Sequence, residues 1–178
     1  MLLLLLVFHR NPITSEEWWT LPGGGLEDRE SALEAVEREV KEECGMECIP
    51  GRLVYVREFF GGLEKEVHHV ELFFTAEVDR YDIVTGIDPE LEEQYIIETR
   101  FLSREEIETT AIKVYPEVLK GRFWDDLESE FVGTDGLSRT PSIVPFFPTK
   151  QKLSFRVSSW TCAKYYGGLK AIMVPRNG

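Results

Sequence analysis

The fold is decided by residues 18–46, WWTLPGGGLEDRESALEAVEREVKEECGM. Ser31 followed three residues later by Glu34 forms a capping box, which predicts a helix that begins just after Ser31. Gly45 can adopt the left-handed backbone conformation that ends a helix, so we expect the helix to end after Cys44. The stretch therefore predicts the end of a strand, a glycine turn, an acidic loop and one helix, in that order.

The predicted helix has an apolar stripe and an acidic face. Its apolar residues recur at helical spacing and are expected to face the core: Leu33, Val36, Val40 and Cys44. Glu39, Glu42 and Glu43 are spaced i, i+3, i+4, so their carboxylates share the adjacent face and repel one another. Such a cluster is usually a solvated face, but the three glycines before the helix let a ligand approach the backbone. Clustered carboxylates with a backbone carbonyl form the hard oxygen site that binds Mg²⁺ or Mn²⁺.

The spacing around this helix resembles the complete box of the Nudix hydrolase family. The family pattern is G-x5-E-x7-R-E-U-x-E-E-x-G-U, where U is a bulky apolar residue. Gly24 and Glu30 supply its first two positions, and residues 38–46, REVKEECGM, supply the rest without a departure. Trp19 and residues 21–23, Leu-Pro-Gly, also resemble the family. A motif of this length has a chance match of about one in a thousand or less, and the glycines are not followed by the Gly-Lys-Ser/Thr of a P-loop.

The resemblance implies an activity, a cofactor and a role for each residue of the box. Nudix enzymes hydrolyse a nucleoside diphosphate linked to another group X with a divalent metal, here expected to be Mg²⁺ with Mn²⁺ as the alternative. The expected metal ligands are the Gly23 carbonyl and the carboxylates of Glu39, Glu42 and Glu43. Glu39 is either a ligand or the group that helps deprotonate the attacking water. Arg38 and Glu30 complete the catalytic set by fixing the loop against the helix, or form a plain ion pair.

Residues outside the box complete the expected site. The candidate substrate-binding residues are Gly23, Gly24, Arg10 and Trp19. Family members often use another loop carboxylate as a base or an extra ligand, and the candidates here are Glu90, Glu92 and Glu93. For any one of these three, a solvated loop position is the commoner role. His68 and His69 lie in a predicted strand, where a histidine is more often structural than in contact with substrate.

The residues that follow the box bear on the choice of substrate. Some fifteen to seventeen positions after it stand Gly61, Gly62 and Leu63, where ADP-ribose and dinucleotide polyphosphate hydrolases carry a marker proline or tyrosine. We therefore expect a nucleoside triphosphate, including oxidised forms, with the monophosphate and pyrophosphate as products. Two alternatives stay open: an ADP-ribose or nucleotide-sugar pyrophosphatase, and a non-catalytic Nudix-like module that senses a nucleotide or docks a protein partner.

The order of predicted elements resembles the Nudix α/β/α sandwich, a mixed-sheet fold of the α/β (α+β) class. Strands are predicted at residues 2–8, 18–21, 53–60, 67–78 and 95–102, with a loop at 49–51, a hairpin turn at 61–62 and a loop at 81–93. Ser103 with Glu106 is a second capping box and predicts a short helix, and Pro116 is expected in the first turn of a last helix. The apolar stripe of that last helix would be Val118, Leu119, Phe123, Trp124 and Leu127. The Nudix domain is expected to cover residues 1–131, without the first strand that the family generally has.

Residues 132–178 are expected to be a basic C-terminal extension. From residue 136 onward there are seven Lys or Arg and no Asp or Glu, against 13 basic and 32 acidic residues before it. Residues 152–158 alternate apolar and polar side chains, and residues 169–174 form a second strand-like run. Because the lack of a first strand would leave an unpaired sheet edge, part of residues 150–175 is predicted to add to that edge. The alternative is a disordered or artefactual tail.

Composition limits the partners and the compartment. At 178 residues with 43% apolar residues, the chain can bury the core of one domain. A net charge of −12 argues against a nucleic-acid polymer, but not against a small phosphorylated substrate once metal is bound. Three cysteines without a CxxC pair indicate reduced thiols, and the apolar start is too short for a membrane span. We therefore expect a cytoplasmic protein with no membrane partner, and a homodimer is left open.

Overall fold

The computed structural model describes residues 3–61, 67–78, 80–87, 94–129, 143–145 and 166–175. Its strands are β1 (Leu3–Arg10), β2 (Glu17–Thr20), β3 (Ile49–Gly61), β4 (Val67–Val78), β5 (Ile96–Ser103), β6 (Lys113–Tyr115), β7 (Ile143–Pro145) and β8 (Tyr166–Pro175). Its helices are α1 (Ala32–Cys44), α2 (Arg104–Thr109) and α3 (Phe123–Glu128), with a 3-10 helix at Glu117–Lys120. The protein is therefore of the mixed α and β class predicted from the sequence.

The described strands form two four-stranded sheets, and each sheet is mixed. The first sheet has the order β5-β1-β2-β6, in which β6 runs parallel to β2 and the other neighbours are antiparallel. The second has the order β7-β3-β4-β8, in which β8 runs parallel to β4 and the other neighbours are antiparallel. Strand β8 also contacts β1 and α1, and the Ala171 N–H donates to the Pro22 carbonyl at 2.9 Å. Strand β8 therefore lies where the two sheets meet.

Strand β1 is buried on both faces. Leu4, Leu6 and Phe8 pack into one apolar core with α3, whereas Leu5 and Val7 pack into a second core with α1. Alternate residues of a strand point to opposite faces, so a continuous apolar run can serve two cores at once. The resulting layers, with α3 on one side of the strands and α1 on the other, confirm the α/β/α sandwich.

The C-terminal strand belongs to the same two cores. Ile172 is fully buried in the core on the α3 side, and Ala171 and Met173 are buried in the core on the α1 side. Strand β8 pairs with β4 along its whole length. The prediction that part of residues 150–175 packs on the domain as an added strand is therefore confirmed for β8, which lies beside β4. That this is the edge left by a missing first strand stays a prediction, and residues 152–158 lie outside the described residues. The boundary between residues 131 and 132 stays a prediction.

Strand β3 begins earlier than predicted. Residues 49–51, predicted as a loop, belong to β3, and the register with β4 shifts on either side of Leu53. Such an irregularity allows Pro50 to lie inside a strand, where its missing N–H would otherwise leave a gap in the hydrogen-bond ladder. It also breaks the in-and-out alternation of a regular strand, because the adjacent residues Val54 and Tyr55 are buried in the same core. The turn predicted at residues 61–62 lies partly outside the described residues.

The predicted last helix is divided in two. The 3-10 helix follows Pro116, and α3 begins only at Phe123. Gly121 has an extended rather than a helical backbone, with φ −171°, and this interrupts the helix. Leu119, Phe123 and Trp124 are nevertheless buried, so the predicted apolar stripe reaches the core in two pieces. The short strand β6 was not predicted.

Neither a reactive thiol nor a membrane-spanning helix is found in the part of the chain that the structure describes. Cys44 and Cys48 are free thiols. Burial raises the pKa of the Cys44 thiol and raises that of Cys48 to about 12, so both are protonated and poorly nucleophilic at neutral pH. No helix in the described ranges is long and apolar enough to cross a bilayer.

Candidate active site

Helix α1 has the ends predicted from its sequence. The Ser31 hydroxyl accepts a hydrogen bond from the Glu34 N–H, and the Glu34 carboxylate accepts one from the Ser31 N–H at 2.7 Å. Gly45 adopts the left-handed conformation, with φ 61°, and its N–H donates to the Lys41 carbonyl. The capping box and the glycine satisfy backbone groups that a helix end otherwise leaves unpaired.

The buried face of α1 begins at Ala35, two residues after the Leu33 that the periodicity predicts. Val36, Val40 and Cys44 are buried as predicted, together with Ala35. Leu33 is 42% exposed, so the prediction that it faces the core is wrong. It lies in the first turn of the helix. Periodicity specifies which face of a helix is apolar, but not how far along the helix the core extends.

The three carboxylates of the box are not a solvated acidic face. Glu39 and Glu43 are 5% and 4% exposed, and Glu42 is half-buried. Because burying a carboxylate is costly without a partner, each of them needs a donor. Glu43 Oε2 accepts a hydrogen bond from the Gly23 N–H at 2.8 Å, and Arg38 pairs with Glu39 at 2.9 Å and with Glu42 at 3.1 Å. The carboxylates are thus held between the glycine turn and one arginine.

Arg38 joins the acidic loop, the glycine turn and α1. Its guanidinium donates twice to Glu30, at 2.8 and 3.1 Å, and once to the Gly25 carbonyl at 2.9 Å, in addition to the contacts with Glu39 and Glu42. The hydrogen bond to Glu30, with the contacts to the other carboxylates, raises the pKa of Arg38 further above its usual value. The same hydrogen bond lowers the pKa of the Glu30 carboxyl. All five guanidinium N–H groups have acceptors, so Arg38 has none left for a ligand.

The glycine turn lies directly against Glu39. A Cβ at Gly24 would lie 2.3 Å from Glu39 Oε1, whereas a Cβ at Gly25 would meet nothing within 4 Å. Gly24 therefore leaves the space that the Glu39 carboxylate occupies. Gly23 has φ 139°, a backbone conformation that favours glycine.

We expect Gly24→Ala to lower turnover about tenfold or more, because the added methyl group would displace the Glu39 carboxylate. Gly25→Ala should change turnover less than about twofold, because its methyl group meets nothing. The measurement is kcat with saturating Mg²⁺ and the nucleotide that is turned over fastest. Gly25→Ala is the matched control, since it adds the same methyl group one residue away in open space. Equal turnover by the two variants would contradict this role of Gly24.

The oxygen donors at this turn suit a hard divalent cation. The set comprises the Gly23 carbonyl and the carboxylates of Glu39, Glu42 and Glu43, and oxygen ligands of this kind are preferred by Mg²⁺ and Mn²⁺. Within the described ranges, however, no group of three or more His, Cys, Asp or Glu side chains is arranged to hold a metal ion. Glu39 and Glu42 pair with Arg38, and Glu43 accepts a hydrogen bond from the Gly23 N–H. Their assignment as metal ligands stays a prediction.

Comparison with known proteins places this site in a family. The model of the NUDIX domain matches residues 4–121. The chain belongs to the Nudix family. The resemblance carried by the box is thereby confirmed, and the match includes the glycine turn, the acidic loop and α1.

Two curated relatives match part of the chain. Both are named 8-oxo-dGDP phosphatase NUDT18: the protein of Danio rerio is 52% identical over 40 residues, and that of Homo sapiens is 50% identical over 40 residues. Each match covers 22% of this chain and 12% of the relative, so the aligned part is about an eighth of the relative's length. No solved structure matches the chain significantly.

Two of the predicted substrate-binding residues lie on β1 and β2. Trp19 is buried, and Arg10 forms an ion pair. Trp19 is 4% exposed in the core of the Nudix domain, with its ring centroid 4.9 Å from that of Phe8. Arg10 is half-exposed and pairs with Glu17 at 2.6 Å. Burial gives Trp19 a structural role in the core. Contact of Arg10 or Trp19 with a substrate stays a prediction.

The loop after β4 covers the C-terminal end of the Nudix box helix, a contact that the sequence did not reveal. Three backbone hydrogen bonds form it: Val84 to Cys44 at 3.1 Å, Gly86 to Glu43 at 2.9 Å and Ile87 to Glu42 at 3.3 Å. A Cβ at Gly86 would lie 1.7 Å from the Glu42 carbonyl oxygen, so this approach needs a glycine. The loop thus satisfies carbonyls at the helix end. The candidate carboxylates Glu90, Glu92 and Glu93 follow Ile87 and lie outside the described residues.

Lys170 contacts the candidate site, and sequence reasoning missed it. Its Nζ donates to the Gly23 carbonyl at 2.8 Å, across 147 positions of the chain. No local pattern could have predicted this contact, because it depends on the pairing of β8 with β4. The one available signal was the basic composition of the C-terminal extension.

Proposed function

We propose that this chain is a divalent-metal-dependent hydrolase that cleaves a nucleoside diphosphate linked to another group. The observation that supports the proposal most is the burial of the box carboxylates at the glycine turn. Glu39 and Glu43 are almost fully buried beside Glu42, an arrangement of like charges that opposes folding unless cations compensate it. Arg38 compensates part of this charge, and a bound divalent cation would compensate the rest.

The residues of the site would bind the metal, accept a proton from the attacking water, or position these groups. Bound metal would neutralise the diphosphate oxygens and lower the pKa of the attacking water. Glu42, Glu43 and the Gly23 carbonyl would hold it, and Glu39 would either join them or take the proton from the water. Arg38 would act as a positioning residue, because its contacts hold Glu39 and the loop in place before a substrate arrives. Glu30 would keep Arg38 in that position.

A carboxylate from residues 88–93 would add to this set. Ile87 donates to the Glu42 carbonyl at 3.3 Å, and Glu90 follows only three residues later. Glu90 is therefore only three residues from a position that contacts the end of the box helix. We propose that one of Glu90, Glu92 and Glu93 serves as the extra base or ligand.

Among small nucleotides, we place oxidised guanine nucleotides first. The chain lacks the marker proline or tyrosine of the ADP-ribose and dinucleotide hydrolases, and the two relatives are named for the dephosphorylation of 8-oxo-dGDP. A triphosphate would give the monophosphate and pyrophosphate, and a diphosphate would give the monophosphate and phosphate. A cytoplasmic location and the absence of a membrane partner complete the proposal.

A substrate panel tests this function. The purified chain is incubated with 8-oxo-dGTP, 8-oxo-dGDP, dGTP, ADP-ribose and a nucleotide sugar, each with and without Mg²⁺, and products are separated by chromatography. We expect kcat/KM for the oxidised guanine nucleotides to exceed that for ADP-ribose about tenfold or more, with no product when EDTA removes the metal. Tight binding without product anywhere would favour the sensing module, and a preference for ADP-ribose would overturn the substrate class.

A further inference from the structure

Strand β8 brings a lysine into the candidate active site. Lys170 is half-buried, and its ammonium group donates to the Gly23 carbonyl at 2.8 Å. The neighbouring residue, Ala171, donates its N–H to the Pro22 carbonyl at 2.9 Å. Two consecutive residues of β8 are therefore hydrogen-bonded to the consecutive residues Pro22 and Gly23, which holds Lys170 beside the glycine turn.

Gly23 links this lysine to the box carboxylates. Its N–H donates to Glu43 and its carbonyl accepts from Lys170, so one peptide segment touches both charges. An ammonium group has three N–H donors, and the Gly23 carbonyl uses one of them. Arg38, by contrast, donates all five of its guanidinium hydrogen bonds to four acceptors: Glu30, Glu39, Glu42 and the Gly25 carbonyl. Of these two cations, Lys170 is the one with donors left for a ligand.

The charge of Lys170 has opposite effects on the two ligands that this site would take. A divalent cation at the Gly23 carbonyl would be repelled by the adjacent ammonium group, since like charges at this range interact strongly. A diphosphate would be attracted by it and would accept charge-assisted hydrogen bonds from its remaining donors. A lysine that served only to hold the turn would strengthen the binding of both ligands.

We propose that Lys170 is a phosphate-binding residue of the active site. Its ammonium group donates to the Gly23 carbonyl in the free protein and donates to the diphosphate group when a nucleotide binds. The proposal depends on the proposed function, because it assumes a phosphorylated ligand beside the box carboxylates. It assigns to the C-terminal strand a direct part in substrate binding.

The test compares Lys170→Met, Lys170→Arg and the control Lys41→Met in the full-length chain. Methionine keeps an unbranched side chain of nearly the same length and removes the charge, whereas arginine keeps charge and donors. Lys41 is an exposed lysine of α1 paired with Glu47 at 3.2 Å, so its replacement removes the same charge elsewhere. Mn²⁺ affinity without nucleotide is measured by electron paramagnetic resonance, and KM and kcat are measured with 8-oxo-dGTP.

We expect Lys170→Met to bind Mn²⁺ as tightly as wild type or up to about tenfold more tightly, and to raise KM about tenfold or more. Lys170→Arg should keep KM within about threefold, and Lys41→Met should change neither quantity more than about twofold. An unchanged KM in Lys170→Met, or weaker binding of both Mn²⁺ and nucleotide, would overturn the proposal. The second result would indicate a structural role for the strand alone.

A binding measurement separates this proposal from the proposed function. The dissociation constant of the non-hydrolysable α,β-methylene dGTP is measured by calorimetry in the presence of Mn²⁺. If wild type binds the analogue and hydrolyses no nucleotide, the proposed function fails, while a weaker affinity in Lys170→Met still supports the role of Lys170. Failure of wild type to bind the analogue would overturn the role of Lys170.

Discussion

Glu43→Gln is expected to lower kcat about a hundredfold or more with Mg²⁺ while leaving the free energy of unfolding within about 1 kcal/mol of wild type. The Glu43 carboxylate accepts a hydrogen bond from the Gly23 N–H at 2.8 Å, and the amide oxygen of glutamine can accept the same bond. The substitution therefore keeps the turn against the helix. It removes the negative charge that would hold a divalent cation.

The control for this prediction lies on the same helix. Glu37 is exposed on α1, so Glu37→Gln makes the same chemical change outside the site. Both variants are compared with wild type by kcat across a Mg²⁺ titration and by circular dichroism during urea unfolding. We expect Glu42→Gln to behave like Glu43→Gln. Turnover by Glu43→Gln within about threefold of wild type would contradict the assignment of Glu43 as a metal ligand.

The Nudix box helix could be predicted from sequence because its signals are local. A capping box spans four residues, and a left-handed glycine at the end of a helix is a property of one residue, so both can be recognised without knowing the rest of the fold. Ser31, Glu34 and Gly45 accordingly mark the ends of α1 as the structure has them. The prediction of burial failed at Leu33, because burial depends on what lies opposite the helix.

The partners of the box residues could not be predicted in the same way. The spacing of Glu39 and Glu43 shows that they share a face, but their burial follows from the approach of the glycine turn to the helix. Lys170 reaches that turn only through the register between β8 and β4. Registers between distant strands are set by the whole core, so no window of sequence contains them.

The division of the last helix has a similar cause. The apolar residues around Leu119 and Phe123 follow a helical period, and the sequence therefore favoured one continuous helix. In the structure, Gly121 takes an extended backbone between them, and the chain turns to bury both side chains. Packing requirements overrode the local preference, as they commonly do for short helices.

Ile172→Ala is expected to lower the free energy of unfolding by about 2–4 kcal/mol. Ile172 is fully buried in the core on the α3 side, although it lies in the basic C-terminal extension, where a loose tail was the alternative expectation. Replacing isoleucine by alanine removes buried apolar contacts and leaves a cavity. Urea unfolding of the full-length chain measures the loss. Ile97→Ala is the matched control, because Ile97 is 47% exposed on β5 and its replacement should cost less than about 1 kcal/mol.

The same reasoning predicts a larger effect when the chain is truncated after Arg139. The truncation removes β7 and β8, so β3 and β4 each lose a neighbour. The buried side chains of Ala171, Ile172 and Met173 also leave both cores. Since a domain is stable by only about 5–15 kcal/mol, losing three buried residues and two strands should abolish cooperative unfolding. Thermal melting and turnover of the truncated chain are compared with the full-length protein. A truncated chain with the wild-type Tm and kcat/KM would show that β8 stabilises neither the fold nor the glycine turn, and that Lys170 is not needed at the site.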